Sequence, residues 1–433
     1  MKKIKDSMRV LMFVFTVCRA YKLKIIPIII CMIAAFFFNI AYLKEEKIRK
    51  KHLERFKSLI TYMEQMMYSF KKQPKIIPAL RDAQKVSTGE MKEVIEEVVT
   101  AIDAGMSENI YEDALKIIQD EYPCKRVKSL HEFLIKLERH GGVYESYLDI
   151  LLEDIRQWSD ATLMFIKDVG RAKRNVLISI FSTMITCGFM AYLLPSEYHY
   201  SSHPAYQNCS TIVIVLMMGA YLLVIKKLNF NWISEKCALS ERMIIKYYFL
   251  VEKAYDDYDS LKFLEKISYK KAKKRLEREI AKEFPDWIRD VAINLQNDTV
   301  QSAIENSYET APFVLKRPIR KLLIDFEKYP VGIEPYDNLL KEFDLEDITS
   351  SVKMFYSINE LGADESEQQL NSIIERNNKL MRQAEEMKNK DSIGMASMYS
   401  AIPMLIGVVK IMVDMVLMIL VFTTSLSGVI SGT

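Results

Sequence analysis

Glycine and proline are scarce in this 433-residue chain, thirteen and twelve in all. Strand-rich folds need many turns, and turns draw on these two residues, so an all-β architecture is excluded. Glu, Lys, Leu, Ile and Met at helical spacing point instead to helices nearly throughout. Cysteine is sparse too. Cys18, Cys31, Cys124, Cys187, Cys209 and Cys237 are scattered with no C-x-x-C pair, so neither a disulfide framework nor a zinc site is expected. They read as reduced, mostly buried small side chains. Of the five histidines, His52, His131, His140, His199 and His203, two have the four-residue spacing of metal ligands on one helix. Ser201, Ser202 and Pro204 make that stretch a loop, however, and its histidines solvated loop residues.

Catalytic signatures are also missing. No glycine is followed by lysine, so the G-x-x-x-x-G-K-[ST] loop that cradles phosphates does not occur, and ATP hydrolysis by that route is excluded. G-x-S-x-G, H-E-x-x-H and G-x-G-x-x-G are absent as well. Acidic pairs such as Glu45-Glu46, Asp256-Asp257 and Glu385-Glu386 lie on charged helical stretches and read as solvated faces. The expectation is a protein that is not an enzyme and that carries no catalytic residue, cofactor or metal. A net charge of only +3 gives no field suited to nucleic acid.

Half of the residues are hydrophobic, and they are strongly partitioned. Apolar blocks lie at 25–43, 176–194, 211–225 and 398–430, with Lys- and Glu-rich stretches between them. At the centre, 176–194 and 211–225 are joined by 195–210, and none of these residues is Lys or Arg. Lys167, Arg171, Lys173 and Arg174 precede this hairpin; Lys226 and Lys227 follow it. Apolar runs of roughly 15 to 20 residues match a hydrocarbon core of about 30 Å. Cationic flanks around a cation-free loop place both outer ends of the hairpin in the cytoplasm.

The domain organisation read from this pattern has five parts. Residues 1–43 are an N-terminal membrane or interfacial segment, 44–175 a first cytoplasmic helical bundle and 176–225 the transmembrane hairpin. Residues 226–397 are a second cytoplasmic bundle and 398–430 a C-terminal transmembrane segment. The fold class is all-α, a polytopic membrane protein with two repeated cytoplasmic helical bundles. The first part leaves two topologies open, because cations balance across 25–43. Either 10–18 also enters the bilayer to give an in–out–in pair, or it is an interfacial helix. No small-residue cleavage site follows it, so no removed signal peptide is expected.

Turn signals divide 44–175 at Gln73-Pro74, Ser87-Thr88-Gly89, Ala104-Gly105, Tyr122-Pro123 and His140-Gly141-Gly142, predicting about six helices. Phe56, Leu59, Ile60, Met63, Met66 and Met67 mark one apolar face. The second segment breaks at Asn297-Asp298, Ala311-Pro312, Tyr329-Pro330, Phe343-Asp344 and Leu361-Gly362. The two rhythms align. Ala79-Leu80 corresponds to Ala303-Ile304 and Ala114-Leu115 to Asn338-Leu339 at the same interval, and Gly142 with Leu148 corresponds to Gly362 with Leu370. An internal duplication is expected. The cationic run 270–278 is the nearest candidate for a junction before the second bundle.

These residues resemble the type II secretion system F-domain family, the inner-membrane platform proteins of type II secretion, type IV pili and Tad-type (Flp) pili. The family's repeat is similar to Ile77-Pro78-Ala79-Leu80, Gly105, Ala114-Leu115 and Gly142 in the first unit, and to Ala303-Ile304, Gly332, Leu339 and Gly362 in the second. Phe284-Pro285-Asp286-Trp287 resembles the opening that precedes such repeats in Tad platform proteins. The chain departs from the pattern where Gln73-Pro74 and Asn297-Asp298 replace a glycine and Asn338 replaces a small alanine. The resemblance implies a platform in the bacterial cytoplasmic (inner) membrane that couples a hexameric secretion or pilus ATPase to pilin or pseudopilin subunits. It implies a homo-oligomer or a pairing with a second platform protein, in contact with membrane lipid. Motion would pass through junctions at 168–175 and 387–396.

One costly feature stands inside the last apolar block. Lys410 and Asp414 are spaced i and i+4, so both side chains fall on one helix face. An unpaired charge at membrane depth costs roughly 2.5–3.5 kcal/mol on insertion scales. Either the pair makes a polar contact to another span, or the span starts near Ile411 and Lys410 snorkels to the interface. Met-rich faces such as Met412, Met415 and Met418 read as core or lipid contact. A permease-like transport subunit, with Lys410 and Asp414 lining a pathway, is the alternative function, and a membrane sensor enzyme a third.

Overall fold

The structure, a computed structural model, describes residues 2–105, 109–141, 145–193, 200–233, 239–258, 262–295, 298–330, 332–360 and 363–431. Among them there is no strand. The helices run α1 (Lys2–Ala20), α2 (Ile25–Lys72), α3 (Ile76–Val86), α4 (Glu90–Ala104), α5 (Ile110–Glu121), α6 (Lys125–His140), α7 (Glu145–Phe189) and α8 (Pro204–Lys227). They continue as α9 (Glu241–Asp256), α10 (Phe263–Asn294), α11 (Val300–Ser307), α12 (Phe313–Lys328), α13 (Glu334–Asn338), α14 (Glu346–Glu360), α15 (Ala363–Tyr399) and α16 (Ala401–Ser431).

Local chemistry sets the ends. Pro74 stops α2, and Gly89, at φ 61°, opens α4, whose first turn carries Glu90 and Glu93 against the helix dipole. Gly141 takes the left-handed conformation after α6 at φ 68°. The Thr299 hydroxyl caps α11 by accepting from the Ser302 amide. The breaks expected at Gln73-Pro74, Ser87-Thr88-Gly89, Ala104-Gly105 and Tyr122-Pro123 all fall between helices, as do those at Ala311-Pro312, Tyr329-Pro330 and Phe343-Asp344. Gly142, Asn297, Gly362 and Cys237 lie outside the described residues.

Some expectations are corrected. The cationic run 270–278 is no linker: it lies inside α10, where Ala272 and Leu276 are buried, because apolar residues recur at helical spacing between the lysines. The junctions expected at 168–175 and 387–396 lie inside the continuous helices α7 and α15, which does not contradict them. The hairpin loop is shorter than 195–210. Pro204, whose missing amide costs nothing at a first helical position, starts α8 with the His203 ring accepting from the Ala205 amide at 3.2 Å.

The chain divides into two compact units. The first contains Met1–Glu54, Leu163–Trp232 and Lys390–Thr433, and the second Arg55–Thr162 and Ile233–Asn389. Both charged segments therefore contribute to one unit. Within it α3, α4, α5 and α6 have 11, 15, 12 and 16 residues, and α11, α12, α13 and α14 have 8, 16, 5 and 15. Its core includes Trp287, Phe284, Ile304, Leu322 and Phe355.

The first unit holds the apolar helices. Among the described residues, four helices are long and apolar enough to cross a membrane, namely α2, α7, α8 and α16. Their contacts set a common register. On α1 and α7, the Phe13 and Phe181 rings stack at 6.0 Å and Lys22 Nζ donates to the Ala191 carbonyl at 3.3 Å, so α1 runs parallel to α7. The turn at 21–24 folds α2 back along α1, bringing Val14, Cys18, Cys31 and Ala35 into one buried cluster. Helix α8 follows α2, with the Lys24 amide on Gln207 Oε1 at 2.8 Å and Asn229 Nδ2 on the Glu45 carbonyl at 3.0 Å. Helix α16 follows α7, with Ser179 Oγ on the Ser400 carbonyl at 3.0 Å and Leu417 packed with Ala191. One end of this unit thus collects the turn at 21–24, the end of α7, the start of α8 and Leu417. The other collects Glu45, Lys173, Asn229 and Ser400.

Candidate functional site

Lys410 and Asp414 are both fully buried within α16, and the ammonium donates to both carboxylate oxygens. The snorkelling alternative fails because Lys410 is nine residues inside the helix and folded against protein. The pair is roofed by aromatic rings. Lys410 Nζ lies 4.4 Å from the centroid of the Tyr206 ring, whose negative face suits a cation. Tyr206 in turn donates its hydroxyl to the Tyr21 carbonyl at 3.2 Å and packs on Tyr200 at 4.9 Å between centroids. The Tyr200 hydroxyl stands beside the Asp414 carboxylate, near enough to act on it but outside ordinary hydrogen-bond geometry. Buried Ser210 Oγ, one turn along α8 from Tyr206, has no hydrogen-bond partner among the described residues.

Two features let α16 come this close. Gly407 has no side chain, and a Cβ there would strike the Thr183 methyl group on α7. Cys187 Sγ reaches the Gly407 carbonyl at 3.7 Å. Buried Leu417 and Ala191 close the pocket at the end where α7 finishes. Chemically the arrangement is a neutral ion pair covered by tyrosines. Among the described residues, no three His, Cys, Asp or Glu side chains are grouped as metal ligands.

The positions quoted for the family pattern are packing positions. Ala79 and Leu80 on α3, Ala114 and Leu115 on α5, and Ala303 and Ile304 on α11 are all buried. Leu339, just past α13, is buried too. Gly105 follows α4, where a Cβ would come within 2.6 Å of Ile110. Gly332 precedes α13 with a Glu334 side chain folded over it.

Sequence reasoning missed a second polar constellation, in the other unit. Arg126 on α6 and Arg289 on α10 share Asp154 on α7, at 3.2 and 3.1 Å to Oδ2. Arg289 also meets Asp286 at 3.2 Å and Asp290 at 3.4 Å, and Arg126 meets Glu385 on α15 at 3.4 Å. The guanidinium of Arg126 lies 4.9 Å from the Trp158 ring centroid. Burial, with Asp286 alongside, raises the Asp290 carboxyl to about 6 against the pull of Arg289. Asp286, Arg289 and Asp290 stand at i, i+3 and i+4 and so share one helix face, a spacing that in the sequence reads the same as a solvated polar stripe. Nearby, His131 is held neutral by burial, which lowers it to about 3, and it bridges Tyr62 at 2.8 Å and Gln119 at 3.1 Å.

Compared with known proteins, the chain matches no family model, no curated protein and no solved structure. What stands is the class: among the described residues, a helical protein without strands that has four helices long and apolar enough to cross a membrane.

Proposed function

We propose that this chain is a multi-pass platform protein of the bacterial cytoplasmic membrane, serving a pilus or type II-like secretion apparatus. It couples a hexameric cytoplasmic ATPase to the assembly of pilin or pseudopilin subunits. The observation that carries the reading is the recurring helix order. Each charged segment passes through four short helices, α3–α6 and α11–α14, and then into long helices that become apolar, α7 and α15–α16. Internal duplication explains that recurrence, and it is the pattern for which the family resemblance was named. The missing phosphate loop fits a coupler whose ATPase is a separate chain.

The register of the apolar unit favours the in–out–in choice for residues 1–43. Because α1 runs parallel to α7, Lys2, Lys3, Lys5 and Arg9 fall toward the end that carries Arg171, Lys173, Lys44 and Lys226. The opposite end carries only Arg19, Lys22 and Lys24. By the positive-inside rule the first end is cytoplasmic and the end with the hairpin turn is outside. The buried pair then lies toward the outer half of the membrane, where a hydrophobic subunit entering the machine would meet it.

Deletion of the gene in its host tests the proposal: pili or pseudopili should be lost, and the tagged protein should co-purify with the cognate ATPase. Normal assembly in the deletion strain together with no ATPase bound would overturn it. The Lys410–Asp414 pair favours one other reading, a transport subunit with the pair on its pathway. Solute flux in proteoliposomes that Asp414→Ala abolishes would establish that reading instead.

A further inference from the structure

Between α1 and α7 lies a slot of about 240 Å³. Phe13, Val17 and Tyr21 form one wall and Phe181, Met184 and Phe189 the other. Gly188 keeps it open, since a Cβ there would come within 3.0 Å of the Tyr21 ring. Phe13, Phe181 and Phe189 are each about half exposed or more, so the slot faces outward along an apolar surface. No described side chain of this unit fills it.

A cation closes its end. Lys22 Nζ lies 4.1 Å from the centroid of Tyr192, itself a lining residue, and donates to the Ala191 carbonyl. The lysine backbone is left-handed, at φ 50°, a conformation that glycine adopts freely and a lysine only at a cost. Something other than the turn itself favours a lysine there. Exposed Arg19 and Lys24 flank it, and the buried carboxylate at this end, Asp414, is already held by Lys410. An apolar slot that ends at exposed cations matches one ligand class.

We propose that the slot between α1 and α7 holds an acyl chain of an anionic phospholipid, with the headgroup phosphate at Lys22. The apolar walls take the chain by dispersion and burial. The ammonium, on a residue fixed at the turn, takes the charge, and Arg19 and Lys24 add to the local positive field. This lipid site stands apart from the secretion reading, and a lipid measurement and a pilus measurement fail independently.

The full-length protein is reconstituted in vesicles of equal parts phosphatidylethanolamine and phosphatidylglycerol, extracted in mild detergent, and its retained lipid measured by mass spectrometry. Phosphatidylglycerol should be enriched over the bulk ratio. Lys22→Gly, which relieves the backbone, should cut that enrichment about fivefold while leaving the melting temperature equal or higher. Lys22→Arg should keep it. Ala20→Phe, which blocks the slot without changing charge, should also abolish it, and if that variant does not fold the Lys22 pair decides. Retained lipid at the bulk ratio in the wild type, or enrichment that survives Lys22→Gly, overturns the proposal.

Discussion

In the apolar unit the buried charge is one local pair, Lys410 and Asp414, one turn apart on α16. In the other unit it is a web in which two arginines and four carboxylates come from α6, α7, α10 and α15. Both arrangements answer the same cost, that of taking ions out of water. They differ in what they hold together. A pair on one helix neutralises itself and reaches a neighbour through the Lys410 contact with the Tyr206 ring, so α16 is located by Gly407, Thr183 and the tyrosines. The web fixes four helices against each other and uses the rigid arginine fork to do so.

The comparison breaks most sharply at Arg289. Arg289→Ala takes from Asp286 and Asp290 the guanidinium they share and leaves Asp154 to Arg126 alone, and should cost about 3–5 kcal/mol. Urea titration followed by tryptophan fluorescence reads this directly, since Trp287 and Trp158 lie beside the web. A loss below about 1 kcal/mol would mean that the web is solvated, not buried.

Next in size is the local pair. Lys410→Ala strands Asp414, and a loss of about 3 kcal/mol is expected in detergent melts. Lys410→Met with Asp414→Leu removes both charges and should recover most of that loss, because no ion is left unpaired. The double variant also separates structure from function. If it melts like the wild type yet blocks the pilus assembly proposed above, the pair serves a partner; if that proposed activity persists, it is a packing device.

What could be read from the chain follows from the same contrast. Helix ends were legible because they depend on local chemistry, at Gln73-Pro74, Gly89 and Ala311-Pro312. The apolar helices were legible because length and composition suffice. Lys410 and Asp414 were legible because a charge in an apolar run violates its surroundings. The web around Arg289 was not, since its residues sit in segments already rich in charge and their burial is set by helices far away in sequence. The run 270–278 misled for the reverse reason, as lysines at helical spacing can coat a continuous helix as readily as a linker.

The web can be probed without breaking it. In the unfolded chain the Asp290 carboxyl titrates near 4, and in the folded protein burial raises it to about 6. Below pH 4 the proton is bound in both states. Between about pH 4 and 6 only the folded state keeps it, so this group's contribution falls as pH rises, and above 6 it is constant. The side chain is a fifth exposed, so solvent screening reduces the change to about 2 kcal/mol. Asp290→Asn should flatten that part of the stability profile in chemical denaturation across this range. An unchanged slope would assign the titration to another group.

The smallest effects compare one glycine from each unit. At Gly105 an added methyl comes within 2.6 Å of Ile110 Cδ1, 2.7 Å of its Cγ1 and 3.1 Å of the Ala101 carbonyl, so Ile110 must turn aside and Gly105→Ala should cost about 1 kcal/mol. At Gly407 it meets the Thr183 methyl, and Thr183 cannot turn freely because its hydroxyl donates to the Ser179 carbonyl at 2.8 Å. Gly407→Ala should therefore cost about 1–3 kcal/mol by pushing α16 off α7. Thr183→Ala, which clears the space, should restore part of the loss when combined with it, and a thermal-shift double-mutant cycle reads that coupling. Simple additivity would mean that α16 is not located by this contact, and would leave the tyrosines over Lys410 as what holds the helix in place.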